Sequence, residues 1–311
     1  MPELLPLESP FELRHPQISR SVPLHLIPFF RENKTYPGGS YAADLSPPGY
    51  LVVNAIGAGE FLLMDETINR LDDGNFTELY VVSNRGRTIS MFEKPSLKKK
   101  LSKLGLTKSS AFGCALRFLF RPRPEVFIPL LPTLDALTLP GIIKIAIHIR
   151  THDGVLVYGN KIQFEQYRSY FRCAEQIENF ATHSTNQKAI WVFFTDSIEL
   201  RHKVLEKYGP HKVRVAIDVP VEHSAKEMVC PFETCVTESG FNIAAAEWWS
   251  LGLADYHVVG IQGGYGKSAV MRTGRLNSTY LIYPEQTSKE ISCTKRSYAR
   301  TREIKVAFAG I

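Results

Sequence analysis

The sequence predicts an α/β protein of two lobes, on three observations. Apolar strand-like segments alternate with segments of helical periodicity along most of the chain. The alternation runs twice, with a proline-bounded stretch from Pro132 to Pro140 between the two passes. The second pass ends on a glycine-dense turn, Gly260-Ile-Gln-Gly-Gly-Tyr-Gly266, between an apolar strand and a helix. Repeated βα units imply a parallel, doubly wound sheet, whose ligand lies beyond the carboxyl ends of the strands.

Residues 1–49 are proline-rich, with Pro-Gly-Gly at 37–39 and Pro-Pro-Gly at 47–49, and read as irregular backbone. A strand is expected at Tyr50–Ile56 and a helix at Glu60–Leu71, where Phe61, Met64, Ile68 and Leu71 share a face before the Asp72-Asp73-Gly74 breaker. A buried strand at Leu79–Ser83, a basic helix at Leu97–Leu104 and a helix at Ser109–Phe120 complete the first lobe, residues 1–135. Pro132–Pro140 reads as a hinge into the second lobe, residues 136–311. There Ile142–Ile149 is a strong strand, and Lys161–Thr182 is an amphipathic helix with Phe164, Tyr167, Phe171, Ala174 and Ile177 on one face. A strand at Ala189–Thr195, a helix at Ile198–Tyr208, a strand at Val213–Ile217 and a helix at Asn242–Leu253 follow. The strand Tyr256–Ile261 feeds the glycine turn, and Tyr280–Tyr283 and Ile304–Phe308 supply edge strands.

With 311 residues, 44% of them hydrophobic, the chain can bury two cores. Its net charge of +6 is concentrated at Lys98-Lys99-Lys100 with Lys103 and Lys108, and between Lys295 and Arg302. Such runs read as solvated faces; a small anionic ligand suits the modest excess, and no nucleic acid is expected as a partner. Five cysteines do not make a disulfide framework at this length. Cys230 and Cys235 are close enough in sequence to pair, but their spacing is not diagnostic, and the other ligands of a zinc site are lacking. Three glycosylation sequons, at Asn33, Asn75 and Asn277, give weak support for a secretory lumen. No apolar run reaches the ~18 residues of a membrane span. The amino-terminal MPELLPLESPFEL lacks the basic region of a signal peptide.

The glycine turn is the first candidate site. A strand entering a helix through Gly263, Gly264 and Gly266 offers backbone N–H groups at the positive end of the helix dipole, where phosphate or diphosphate binds. Gly266-Lys267-Ser268 matches the end of a P-loop, but Ile261 occupies the position of its first glycine. A turn that only packs a helix on a sheet is the bland alternative. The second candidate is His148-Ile-Arg150-Thr-His-Asp153, where alternation puts His148 and Arg150 on one face. Arg150 can clamp a diphosphate bidentately or, alternatively, pair with Asp153; His148 is either a base or a core histidine. The third is Asp196 in Phe194-Thr-Asp-Ser197, which either caps the next helix or hydrogen-bonds a base or ribose. Trp248-Trp249 reads as core, with a stacking surface as the alternative.

These segments, in this order, resemble the fucosyltransferase superfamily, and most closely the plant-type xyloglucan α-1,2-fucosyltransferases. The resemblance spans roughly 111–283. Ala111-Phe-Gly-Cys-Ala-Leu-Arg-Phe-Leu-Phe-Arg-Pro-Arg-Pro-Glu-Val126 is similar to the family's segment ahead of its arginine strand, and Ala244-Ala-Ala-Glu-Trp-Trp-Ser-Leu-Gly-Leu-Ala-Asp255 to the helix before its last motif. The resemblance implies a GT-B-like fold of two Rossmann-like lobes, the first incomplete or divergent and lying on the acceptor side. It implies a GDP-fucose donor, an oligosaccharide or polysaccharide acceptor such as a cell-wall glycan, inversion at the anomeric carbon, no cofactor or required metal, and a Golgi lumen location. Carried over by position, Arg150 holds the donor diphosphate, the turn from Gly263 through Gly264 and Tyr265 to Gly266, continuing into Lys267, meets phosphate or sugar, and Asp196 lies near guanosine or ribose. Arg150, His148 and Asp153 form the expected catalytic set, the latter two as candidate bases. This chain has Gly263 and Gly264 where the family usually places hydroxyl side chains. It lacks the early Gly-x-Gly-Asn-Arg segment and a membrane anchor, so an amino-terminally truncated form is expected. Two alternatives stay open: a GT-B relic that binds nucleotide sugar or glycan without transfer, and a P-loop-like nucleotide hydrolase.

Overall fold

The computed structural model describes residues 11–13, 40–41, 50–54, 78–82, 92, 95–107, 110–151, 161–217, 219, 238–261, 263–283, 291–295 and 297. The helix expected at Glu60–Leu71, the strand at Ile304–Phe308, and Cys230 with Cys235 lie outside these residues. The chain forms two compact units: His15–Ala111 with Lys305–Ile311, and Met1–Arg14 with Phe112–Ile304.

In the first of these, β2 (Ser40–Tyr41) runs antiparallel to β3 (Tyr50–Asn54), which pairs in parallel with β4 (Glu78–Val82). The basic helix α1 spans Pro95–Lys103. In the other unit, β1 (Phe11–Leu13) pairs antiparallel with β5 (Phe120–Pro122), directly after α2 (Ala111–Leu119).

A five-stranded sheet organises the larger unit. Its strands are β6 (Ile142–Ile149), β7 (Lys188–Thr195), β8 (Val213–Arg214), β9 (Tyr256–Gly260) and β10 (Thr279–Ile282), in the spatial order β10-β9-β6-β7-β8. Every pair is parallel, as the repeated βα units predicted. The chain moves outward from β6 through β7 to β8, then returns to the other side of β6 for β9 and β10. The order therefore reverses between β6 and β9, and ligands of open α/β sheets settle at such a reversal.

Strand parity sorts the core. Ile143, Ile145, Ile147 and Ile149 pack with Phe171, Ile177, Trp191 and Phe193 beneath α4 (Arg168–Thr185). Ala146 faces the other way, with Val192, Phe194, Leu137, Leu251, Ala254 and Ala269. That second layer consists of α3 (Leu131–Thr138), α6 (Glu238–Leu251) and α7 (Gly264–Thr273); α5 (Ile198–Tyr208) follows β7. The expected hinge at Pro132–Pro140 is thus corrected: most of it is helix α3, with Thr133, Ala136 and Leu137 buried. Pro132 sits in the first turn, where its missing N–H costs nothing, so the stretch read as a hinge starts a helix instead.

Cys173 on α4 is bonded to Cys293, 120 residues later, and Gln176 holds the same segment by accepting from Cys293 N (2.7 Å) and donating to Ile291 O (3.1 Å). The sequence reading missed this bridge because two cysteines so far apart leave no local spacing signal. Closing so long a loop restricts the unfolded chain, so the paired Cys173→Ser and Cys293→Ser replacement is expected to cost about 2–4 kcal/mol. Urea denaturation of both forms checks this, and equal midpoints would contradict it.

His257 on β9 is fully buried, and burial, then the Arg275 charge, holds its pKa down at about 3. His148 on β6 is held down at about 4 by burial, against a raising effect of Asp196. Both folded values lie below the unfolded ~6.5, so their contribution is complete above pH 6.5 and falls away as pH drops toward those values. Between pH 7.5 and pH 5 each should forfeit about 2 kcal/mol. Urea midpoints at the two pH values test this; a His257→Met chain should show a shallower pH dependence.

Candidate functional site

Three chain segments meet at the carboxyl edge of the sheet. The first is the end of β6, where His148 pairs in register with Val259 of β9 on one side and Phe194 of β7 on the other. The second is Asp196, one residue past β7. The third is the turn from Ile261 into α7, across the strand-order reversal.

Asp196 joins the first two. Its carboxylate takes an ion pair from Arg150 and accepts hydrogen bonds from the Thr151 backbone N and Oγ1, both at 2.8 Å. It does not cap the helix that follows. Ser197 does so, its Oγ accepting from Leu200 N at 3.2 Å. Arg150 is accordingly tied to Asp196, and Asp153 lies outside the described residues. The Arg150 side chain keeps 26% of its surface exposed at the sheet edge. Tyr167 stands close to the same carboxylate; burial and the Asp196 charge push its phenol up to about 12, so it stays a hydroxyl.

The turn carries its own geometry. Gly263 has φ +86°, a conformation L side chains resist, and it precedes α7 without any side-chain cap. The first-turn N–H groups of α7, beginning at Gly264, are therefore uncapped by a side chain at its positive end. Gly266 is buried against β6: a Cβ there would lie 2.7 Å from His148 Nδ1 and 3.3 Å from Val259 Cγ1. Close passage of the helix over the sheet is why the third turn glycine is needed. Tyr265 stacks on His148 with ring centroids 5.0 Å apart and donates from its hydroxyl to Ala244 O at 2.5 Å. Burial pushes that phenol well above its ordinary range. Lys267 is buried, its pKa lowered by desolvation, and its Nζ donates to Ile261 O at 2.7 Å. A P-loop lysine instead reaches forward to phosphate, so this geometry does not match a P-loop.

Beneath the site lies a buried pair the sequence did not disclose. Arg201 of α5, 1% exposed, pairs with Glu247 of α6 at 2.9 Å and donates to the carbonyls of Thr195 and Ala216. Burial raises the Glu247 carboxyl, opposed by Arg201. The only hint in the sequence is an arginine placed between Leu200 and Val204 on the apolar face of α5. Trp248 donates to Ser268 Oγ at 2.8 Å, and the Arg272 guanidinium lies over both Trp249 and Trp248, so neither indole is set aside as a stacking platform.

The arrangement thus combines one arginine, a set of side-chain-uncapped helix amides and a neutral histidine–tyrosine stack around the reversal point. Such a set can bind the diphosphate of a nucleotide and hold charge on it. Among the described residues no group of three or more potential metal ligands occurs.

No protein-family model matches the chain, and no curated protein matches it in sequence. Solved structures do: 23 chains match, among them a mutant of FUT1 from Arabidopsis thaliana, a fucosyltransferase, in complex with GDP. That match has a TM-score of 0.53 at 15% identity and covers 77% of this chain and 51% of the other. The chain therefore spans about half the length of the protein it matches. At this identity the likeness concerns the fold: an α/β architecture with a five-stranded parallel sheet, similar to a GT-B fucosyltransferase.

Proposed function

We propose that the chain is an inverting glycosyltransferase that moves fucose from GDP-fucose to a glycan acceptor. The observation that carries this reading is the placement of Arg150 and of the start of α7, which no side chain caps, at the carboxyl ends of the neighbouring strands β6 and β9, where the strand order reverses. The likeness to a fold that in FUT1 binds GDP supports it. In this reading the diphosphate bridges the Arg150 fork and the amides of Gly264, Tyr265 and Gly266, which stabilise departing GDP as the acceptor hydroxyl attacks the anomeric carbon. Asp196 aims Arg150 and fixes Thr151. Lys267 holds the turn in shape through the Ile261 carbonyl. His148, buried and stacked on Tyr265, positions that ring and α7, and Asp153 is the other candidate for the general base. A disulfide between Cys173 and Cys293 suits the oxidising lumen such an enzyme would occupy.

A second reading, nucleotide-sugar binding without transfer, is favoured by one observation: Asp196 already neutralises Arg150 in this state. Thermal-shift titration with GDP, GDP-fucose, UDP and ATP, with and without magnesium, is the first test, since a ligand of the native state raises Tm by mass action. Stabilisation by GDP and GDP-fucose without metal is expected. Silence with all four overturns both readings. Binding of GDP-fucose without turnover across a panel of glycan acceptors favours the second.

A further inference from the structure

We propose that Asn277 is an N-glycosylation site and that this chain carries a glycan on the edge of the sheet away from the nucleotide mouth. Asn277-Ser278-Thr279 is a sequon, and the fold presents it in a specific way. Residues Leu276–Ser278 form a single 3₁₀ turn between α7 and β10. Leu276 and Thr279 on either side are buried, at 3% and 1% exposure, whereas Asn277 is exposed. The asparagine is thus held outward between two anchors.

Thr279 adds a constraint on timing. Its Oγ1 donates to Arg275 O at 3.0 Å in the folded chain, and Thr279 begins the edge strand, in register with His257. The hydroxyl that defines the sequon is sequestered once β10 docks, so modification precedes that step. The reaction is attack by the Asn277 carboxamide nitrogen on the anomeric carbon of a lipid-diphosphate-linked oligosaccharide. A C–N bond forms, the C–O bond to the diphosphate breaks with its electron pair leaving on the lipid diphosphate, and one amide proton passes to a base. The independent indication that the chain meets such a donor is the Cys173–Cys293 bond, which forms in the oxidising compartment where this transfer occurs.

Register shows that a glycan here leaves the candidate site open. Thr279 pairs with His257, and His257 with Ala146, four residues before Arg150. Asn277 lies two residues further back, which places it roughly 20 Å down the strand direction from the sheet's carboxyl edge. The other two sequons, at Asn33 and Asn75, lie outside the described residues.

The test is peptide mapping of the chain isolated from its own cells, after peptide N-glycosidase treatment in ¹⁸O water. Tryptic cleavage after Arg275 and Lys289 isolates the Asn277 sequon in one peptide. The expected result is ¹⁸O-labelled aspartate at position 277. In secretory expression of the full chain, Asn277→Gln should lose one glycan step on a gel while Thr279→Ser keeps it, and Asn277→Gln should leave the GDP thermal shift unchanged. Recovery of this peptide wholly unmodified overturns the proposal, whether Cys173 and Cys293 are found bonded or reduced.

Discussion

Replacing Arg150 by alanine is expected to lower kcat/KM for fucose transfer by about 10²–10³, the range seen when one preorganised donor is removed from developing negative charge. The effect follows from position. Arg150 stands one residue past the central strand, at the reversal of strand order, on the same side as the start of α7. In the proposed reading its guanidinium, paired with Asp196, holds the diphosphate, while Lys267 is engaged with Ile261 O. The amides of α7 remain in the variant, so GDP should still bind, with a smaller thermal shift. Arg150→Lys restores the charge without the fork and should recover only part of the loss. The fold should survive, since Thr151 still bonds Asp196 at two points. Steady-state kinetics with GDP-fucose and a competent acceptor decide the matter; unchanged turnover in Arg150→Ala removes Arg150 from the role.

Where the sequence was legible, the reason is periodicity. Ile142–Ile149 is apolar enough to read as a strand without its neighbours, and it proved to be the central strand of the sheet. The helix expected at Ile198–Tyr208 has those bounds because Ser197 and Gly209 mark its ends chemically. Repetition of βα units also conveyed the parallel pairing. Interactions between distant segments were not legible. Asp196 precedes a helix, as a capping residue does, yet its partners Arg150 and Thr151 lie 45 or more positions away. Pro132–Pro140 read as a hinge because a proline starts helices as readily as it ends them. The Cys173–Cys293 bond and the Arg201–Glu247 pair depend on tertiary proximity, which one sequence without its fold does not encode in any short pattern.

That buried pair yields the second large effect. Arg201→Met should destabilise the chain by about 3–5 kcal/mol, because Glu247 would be left in a buried site with no counter-charge. The loss has a second component: the Thr195 carbonyl, which accepts from two nitrogens of the Arg201 guanidinium, and the Ala216 carbonyl would lose those donors. The double variant Arg201→Met with Glu247→Leu separates the two components. An apolar pair of similar volume removes the stranded charge and should recover more than half of the stability, leaving only the carbonyl term. Thr195 immediately precedes Asp196, so the remaining deficit should appear at the site as weaker GDP binding, even where the double variant is fully folded. Urea denaturation at pH 7 reads the stability of each variant, and calorimetric titration with GDP reads the site. A loss below 1 kcal/mol in Arg201→Met would overturn this account, since even a Glu247 that took up a proton in place of its partner would cost the fold about 4 kcal/mol at pH 7. The deficit of the single variant should shrink as pH is lowered toward the ordinary carboxylate range, since an unpaired buried carboxyl favours folding only while it holds its proton.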